Sequence, residues 1–184
     1  MALSLKDHHI AILALDGFEQ AELESPRDAL HKAGARTAIV SAEKKPIQGM
    51  NHDKKGDTFD VDLTWAQADP ADFTAVLLPG GVVNSDELRM DTRAQAFVRS
   101  IEKSGKPLAV ICHGAWLLVS AELVNGRTLT SWPSLKDDLR NAGANWVDQE
   151  VARDGNWISS RKPDDLPAFN KAFIELLGAT PDAQ

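Results

Sequence analysis

The residues best suited to covalent chemistry are Cys112 and His113, which directly follow an apolar run at residues 108–111 and precede Gly114. A thiol at the point where a buried strand turns into a helix lies at the positive end of the helix dipole, which lowers its pKa. The pattern predicts Cys112 as a nucleophile and His113 as its general base. Because adjacent residues on a helix do not face each other, both must point into one cleft at a sharp turn. The alternative is a structural cysteine buried in the core.

Carboxyl groups lie at a second predicted strand end. Glu19 and Glu22 are three residues apart in the first turn of a predicted helix and can share one face. A carboxyl group beside the thiol and shielded from water has a raised pKa and can donate a hydrogen bond to a thiolate. We assign this role to Glu22. Glu19 is placed with the substrate-binding residues, with ordinary acidic decoration of a helix N-terminus as the alternative.

Two glycines and a tryptophan complete the candidate site. Gly80 and Gly81 end another apolar run, and their N–H groups are predicted to form an oxyanion-binding nest with the N–H of His113. A simple turn is the alternative for these glycines. Trp116, one helical turn beyond Cys112, is expected to wall the pocket.

The other histidines of the chain are not expected to belong to the candidate site. No histidine follows His113, so a catalytic triad with a distant C-terminal histidine is excluded. The four remaining histidines are expected at the surface rather than as ligands: His8, His9, His31 and His52.

Four short apolar runs without alternating polarity predict strands buried on both faces, as in parallel sheets: residues 10–15, 38–40, 75–78 and 108–112. Helices are predicted between and after them, at residues 19–32 with a kink at Pro26 and an end at Gly34, at Thr92–Lys103, and from about residue 163. Residues 44–63 are less regular, and residues 146–160 predict a β-hairpin. This alternation predicts an α/β fold with a mostly parallel sheet. The candidate residues follow strand ends, where such sheets bind ligands.

Composition limits the function classes. The chain has 184 residues, enough for one domain spanning residues 1–184, with 43% hydrophobic residues and a net charge of −7. This charge argues against binding to nucleic acids or anionic membranes. Residues 1–9 have no apolar signal-peptide stretch, and no apolar run reaches the ~20 residues of a membrane helix, so we expect a cytoplasmic protein. One cysteine excludes an internal disulfide and a multi-cysteine metal site; no metal, nucleotide or other cofactor is expected.

At this point the motifs resemble a known family. Residues 109–114, Ala-Val-Ile-Cys-His-Gly, preceded by Leu-Leu-Pro-Gly-Gly at residues 77–81, are similar to the ThiJ/PfpI superfamily. Residues 130–139, 146–148 and 154–170 resemble its PfpI branch. The similarity extends from about residue 10 to residue 177. It implies a flavodoxin-like three-layer α/β sandwich with helices on both faces of the sheet, a core at about residues 8–178, and homodimers or larger oligomers.

The resemblance also implies roles for particular residues. It implies that Cys112 is the reactive cysteine, followed by the family histidine at His113, and that Glu22 is the glutamate that contacts the thiol. An acidic residue from the neighbouring subunit completes a Cys-His-acid triad in PfpI-type members, and Asp86 is the best match for it. Because the loop before it has one extra residue here, Glu87 is the alternative.

The family's activities differ, and chemistry ranks them. A thiolate adds readily to an aldehyde carbon while a neighbouring histidine moves the proton, which needs no cofactor and only a small pocket. We therefore favour a cysteine-dependent stress-response enzyme acting on small carbonyl compounds or glycated proteins, of the deglycase or glyoxalase type. An intracellular cysteine peptidase comes second. A third hypothesis is an oxidative-stress sensor or chaperone that uses oxidation of Cys112.

Overall fold

The structure is a computed structural model that describes residues 4–179. Its strands are β1 (His9–Leu13), β2 (Phe18–Glu19), β3 (Arg36–Ser41), β4 (Ile47–Asn51), β5 (Lys54–Phe59), β6 (Leu63–Thr64), β7 (Ala75–Leu78), β8 (Leu108–Ile111), β9 (Thr128–Leu129), β10 (Asn145–Trp146), β11 (Ala152–Asp154) and β12 (Trp157–Ser160). Its α-helices are α1 (Gln20–Lys32), α2 (Val82–Met90), α3 (Thr92–Lys103), α4 (Ala115–Ser120), α5 (Lys136–Asn141) and α6 (Leu166–Ala179). Short 3₁₀ turns include Cys112–Gly114 and Pro163–Asp165.

The central sheet has seven strands in the order β11-β12-β8-β7-β1-β3-β6. All neighbours in it are parallel except β11 and β12, which form an antiparallel hairpin. A parallel pair, β9 and β10, and a three-stranded sheet, β2-β4-β5, lie outside it. Because β1, β7 and β8 are neighbours, their carboxyl ends open on the same edge of the sheet.

Alternate residues of the strands face two separate apolar layers. On one face Ile10, Leu77 and Ile111 pack with the apolar sides of α1 and α6. On the other face Leu13, Leu78 and Val110 pack with α2, α3, α4 and α5. Side chains of β7 and β8 are essentially inaccessible, which explains why these strands are continuous apolar runs. The predicted three-layer α/β sandwich with a mostly parallel sheet is confirmed.

The local predictions agree with the structure to different degrees. The four predicted strands are confirmed as β1, β3, β7 and β8 with slightly different ends, and Thr92–Lys103 is confirmed as α3. Helix α1 continues through Pro26, and Gly34, at φ 98°, follows its end as predicted. In the predicted hairpin only β11 and β12 pair, because β10 joins β9 instead.

Two expectations were wrong. Residues 44–63, judged irregular, contain the antiparallel hairpin of β4 and β5, whose charged residues conceal its alternation. His8, expected at the surface, is buried, and its Nδ1 lies 3.3 Å from the hydroxyl of Thr74.

Across residues 4–179, none of the helices combines the length and apolar character needed to cross a membrane.

Candidate active site

The thiol of Cys112, the candidate nucleophile, lies in a strained turn at the end of the central strand β8. Cys112 has φ 62°, a left-handed conformation that costs a residue other than glycine about 1 kcal/mol or more. This turn directs its Sγ to 3.2 Å from Nδ1 of His113. The two neighbouring side chains therefore meet in one cleft, as the sharp-turn argument required. Cys112 is 6% exposed, so a small part of the residue is open to solvent.

The loop after β7 holds a carboxyl group beside the thiol. The N–H of Gly80 donates to Oε2 of Glu22 at 2.7 Å. A Cβ atom at Gly80 would lie 2.5 Å from that oxygen and 2.7 Å from Cβ of Cys112, so only glycine fits between them. The Gly80 N–H therefore cannot serve the predicted oxyanion nest, because the carboxyl group already occupies it. The N–H groups of Gly81 and His113 reach the sulfur instead.

Glu22 is completely buried and lacks full hydrogen bonding. Its Oε1 has no hydrogen-bond partner of ordinary geometry among the described residues. Burial raises the pKa of Glu22 to about 8, and the charge of Glu19 acts in the same direction. The Gly80 N–H and the Cys112 thiol oppose this change without cancelling it. Glu22 therefore holds its proton at neutral pH, as expected for a shielded carboxyl group.

The direction predicted for the pKa of the thiol was wrong. Burial raises the pKa of Cys112, and a negative charge on Glu22 raises it further. The N–H groups of His113 and Gly81 favour the thiolate, but they do not outweigh these two causes. Cys112 and Glu22 therefore do not both carry a negative charge, and a thiolate forms there only while the carboxyl group keeps its proton.

His113 is buried between two indole rings. Its ring stacks on Trp132 at 5.8 Å between centroids and meets Trp116 edge-on at 5.3 Å. Burial lowers its pKa, so the neutral imidazole predominates at pH 7. A neutral imidazole in contact with a thiol is suited to accept the thiol proton.

A cavity of about 260 Å³ opens above the thiol. It is lined by Gly17, Glu19, Glu22, Met50, His52, Gly81, Val82, Val83, Cys112, His113, Trp132 and Pro163. No three His, Cys, Asp or Glu side chains within residues 4–179 are grouped so that they could hold a metal ion.

The aromatic wall differs from the prediction. Trp116 lies outside the cavity lining, because its Nε1 donates to Asp138 and its ring lies against Arg89. Trp132 forms the wall instead; it belongs to the motif at residues 130–139, which was the available signal for it. His52, expected only at the surface, lines the cavity from the turn between β4 and β5.

Asn84 is a buried residue that sequence reasoning missed. Its Oδ1 accepts from the N–H of Leu15 at 2.7 Å, and its Nδ2 donates to the carbonyl oxygens of Gly80 at 2.9 Å and Pro79 at 3.4 Å. One amide therefore fixes the loop after β7 relative to the end of β1. An asparagine three residues after a Gly-Gly pair resembles any helix N-terminal residue, so the sequence carried no clear signal.

The two acidic candidates for the triad lie on α2. Asp86 and Glu87 are exposed, and no hydrogen bond or ion pair links either to His113 within the described part of this chain. Glu87 lines a separate depression with Leu15 and Lys45.

Comparisons with known proteins show which family and which relatives this chain resembles. The model of the DJ-1/PfpI family matches residues 8–176. Protein/nucleic acid deglycase 2 of Escherichia coli is 43% identical over 171 residues, which cover 92% of this chain and 98% of the relative. Deglycase PfpI of Pyrococcus furiosus is 41% identical over 168 residues, covering 91% and 98%. The putative cysteine protease YraA of Bacillus subtilis is 38% identical over 169 residues, covering 91% and 97%.

A solved structure has a similar fold. Drosophila melanogaster DJ-1beta superposes with a TM-score of 0.83 at 29% identity, covering 93% of this chain and 91% of that one.

Proposed function

This chain belongs to the DJ-1/PfpI family, and we propose that it is a cysteine-dependent, cofactor-free deglycase that hydrolyses small carbonyl adducts. The observation that carries the proposal is the 3.2 Å contact between Sγ of Cys112 and Nδ1 of His113, beside the buried carboxyl group of Glu22. Two relatives that match over nearly their whole length are named deglycases, which supports the same chemistry.

The reaction follows from the three groups. His113 accepts the thiol proton, and the thiolate attacks the carbon that joins the amine to a 2-oxoaldehyde in the adduct. The carbon–sulfur bond forms as the carbon–nitrogen bond breaks, and the amine leaves with the proton from His113. The enzyme then carries a hemithioacetal next to a ketone.

The second half needs no outside oxidant. His113 removes the proton from the hemithioacetal carbon and returns one to the neighbouring carbon, so the first carbon becomes a thioester and the ketone becomes an alcohol. Water then attacks the thioester, releases a 2-hydroxy acid and restores the thiol. The N–H groups of Gly81 and His113, which favour the thiolate of Cys112, are assigned the stabilisation of the oxyanion in this step.

The size of the cavity favours this substrate class over peptides. At about 260 Å³ it lies below the roughly 300–1,000 Å³ of common ligand sites, so it suits a small carbonyl unit. A peptidase would require an extended cleft for several residues of a peptide. The protease name of one relative keeps peptide hydrolysis as the second candidate. The name of the E. coli relative also includes nucleic acids, and small glycated nucleotides fall within the proposed chemistry.

Asp86 is assigned to the triad of a second copy of this chain. It is exposed on α2, whose Val82, Val83 and Met90 are exposed by 53%, 56% and 69%. Apolar side chains grouped on one helix favour burial against another subunit. The expected assembly is a homodimer, or a larger oligomer, with the active site near the interface.

The proposal is tested with amine adducts of methylglyoxal. Cys112→Ser is expected to lower the release of free amine and lactate at least 100-fold, because a serine hydroxyl has no comparable anionic form at neutral pH. Asp86→Asn is expected to lower kcat while Glu87→Gln does not. Near wild-type turnover in Cys112→Ser would contradict the mechanism. A fully active monomer would contradict the role of Asp86.

A sensor function is the other candidate that a specific observation favours. The N–H groups of Gly81 and His113, together with a protonated Glu22, surround the sulfur with donors that would stabilise a sulfinate. With one cysteine in the chain, a sulfenate has no resolving thiol. Mass spectrometry after mild peroxide treatment separates the two functions: selective oxidation of Cys112 in a protein without detectable turnover favours the sensor.

A further inference from the structure

The charged groups that line the cavity are acidic. Glu19 lies at its side, Glu22 lies at its floor, and the two lining histidines are His52 and His113. No lysine or arginine is among the lining residues within residues 4–179. Because Glu22 keeps its proton at neutral pH, the negative charge of the lining comes from the carboxylate of Glu19. A ligand in this cavity therefore meets a negative potential.

The carboxylate of Glu19 acts on the reactive groups directly. It is half-buried and accepts from the backbone N–H of His52 at 3.1 Å through Oε2 and 3.4 Å through Oε1. This one donor leaves most of the acceptor capacity of the carboxylate unused. Glu19 also raises the pKa of Glu22, so its field reaches the bottom of the cavity.

The two cations that precede Pro163 in the chain are paired with acids. The ammonium group of Lys162 pairs with Asp164 at 3.5 Å, next to Pro163 in the wall. The guanidinium group of Arg161 is held at 2.9 Å by both Asp148 and Asp165. Both cations are therefore paired with acids other than Glu19.

An aromatic ring in the wall fits a cationic ligand. Trp132, 38% exposed, offers an aromatic ring in the wall. Planar guanidinium groups stack on aromatic rings and donate to carboxylates at the same time.

We propose that this cavity selects cationic adducts, above all guanidino adducts of arginine, over neutral thiol adducts and over anionic adducts that carry carboxylate or phosphate groups near the reacting carbon. The chemistry assumed for the adduct rests on the proposed deglycase function, whereas the charge preference rests on Glu19 and the cavity. Glu19 is the residue that sets the preference.

The charge preference can be measured without turnover. Cys112 is treated with cationic, neutral and anionic methanethiosulfonates; the thiolate displaces methanesulfinate and forms a mixed disulfide in each case. Each rate is divided by that of N-acetylcysteine amide at the same pH, which removes the reagents' intrinsic reactivity. At low salt we expect a cation-to-anion ratio about 10-fold above that of the small thiol, falling in 0.5 M NaCl.

Matched variants assign the effect to one carboxylate. Glu19→Gln is expected to lower the cation-to-anion ratio several-fold. Glu24→Gln, in the following helix α1 but outside the cavity lining, is expected to leave it nearly unchanged. Any change in thiol ionisation affects all three reagents alike and cancels in the ratio. A wild-type ratio equal to that of the small thiol, or one that Glu19→Gln does not alter, would overturn the proposal.

A substrate comparison separates this inference from the proposed function. Methylglyoxal adducts of Nα-acetylarginine amide are expected to give a higher kcat/KM than those of the neutral N-acetylcysteine amide, with the difference reduced in Glu19→Gln. Hydrolysis of both adducts without this ranking would overturn the substrate preference and leave the deglycase function standing. No hydrolysis of either, with the reagent ratio intact, would refute the deglycase function alone.

Discussion

The buried carboxyl group of Glu22 makes a definite prediction for stability against pH. Glu22→Gln replaces it by a neutral group of the same shape. The glutamine carbonyl oxygen can accept from the N–H of Gly80 as Oε2 does now, and its amide nitrogen takes the place of the unpartnered Oε1. The substitution therefore removes an ionisable proton with little change in packing.

The magnitude follows from the pKa of Glu22, raised from an ordinary 4.5 to about 8. Because the folded value lies above the unfolded one, the native chain keeps a proton that the unfolded chain releases between these two pH values. The free energy of unfolding of the wild type therefore falls across this window. At ~1.4 kcal/mol per pH unit, the loss relative to pH 4 is about 3 kcal/mol at pH 7 and about 5 kcal/mol above pH 8.

The assay is urea unfolding at several pH values between 4 and 9. We expect Glu22→Gln to match the wild type near pH 4 and to become more stable as the pH rises. That gain is a large part of the 5–15 kcal/mol typical of a domain. Repeating the comparison in a Cys112→Ser background removes the ionisation of the thiol.

The control is Glu175→Gln, the same substitution at an exposed position on α6. The Glu175 carboxylate lies 3.8 Å from Nζ of Lys171, an exposed pair whose loss changes stability by less than about 1 kcal/mol at any pH. A difference between Glu22→Gln and wild type that stays constant from pH 4 to 9 would refute the reasoning. So would a Glu22→Gln variant less stable than wild type at pH 8.

Three further predictions concern the same loops. In Glu22→Gln, alkylation of Cys112 by iodoacetamide should reach its plateau at a lower pH than in the wild type, because no carboxylate then raises the pKa of the thiol; identical pH profiles would contradict this. Asn84→Ala leaves buried loop groups without partners and should destabilise the fold by roughly 3 kcal/mol in urea unfolding and slow alkylation. The adjacent Ser85→Ala removes a buried hydroxyl that has no partner among the described residues, so it should be neutral or stabilising; equal losses in both variants would count against the role of Asn84. Gly80→Ala should lower the free energy of unfolding by about 1–3 kcal/mol and impair turnover, because the added Cβ would contact Glu22 and Cys112 too closely. A variant with wild-type stability would show that the loop can accommodate a Cβ atom there.

Local pattern was enough to predict the framework of the molecule. The apolar runs that became β1, β7 and β8 are read from consecutive residues, and so is the turn at Cys112. The contact between Gly80 and Glu22 joins residues 58 positions apart, and no local signal states which N–H meets which oxygen. Burial first, and the charge of Glu22 second, account for the wrong direction predicted for the pKa of the Cys112 thiol. A sequence predicts that a helix dipole acts on Cys112. It does not predict how deeply the thiol is buried or which carboxyl group from another element lies beside it.

The cavity has a floor and a rim of different structural origin. Cys112 and His113 follow a central strand that is buried on both faces, whereas Met50 and His52 come from β4 and the turn after it, in a small separate sheet. Insertions or substitutions in that hairpin can accumulate during evolution without disturbing the strand that carries the nucleophile. The reactivity of the thiol and the shape of the cavity rim therefore depend on different parts of the chain.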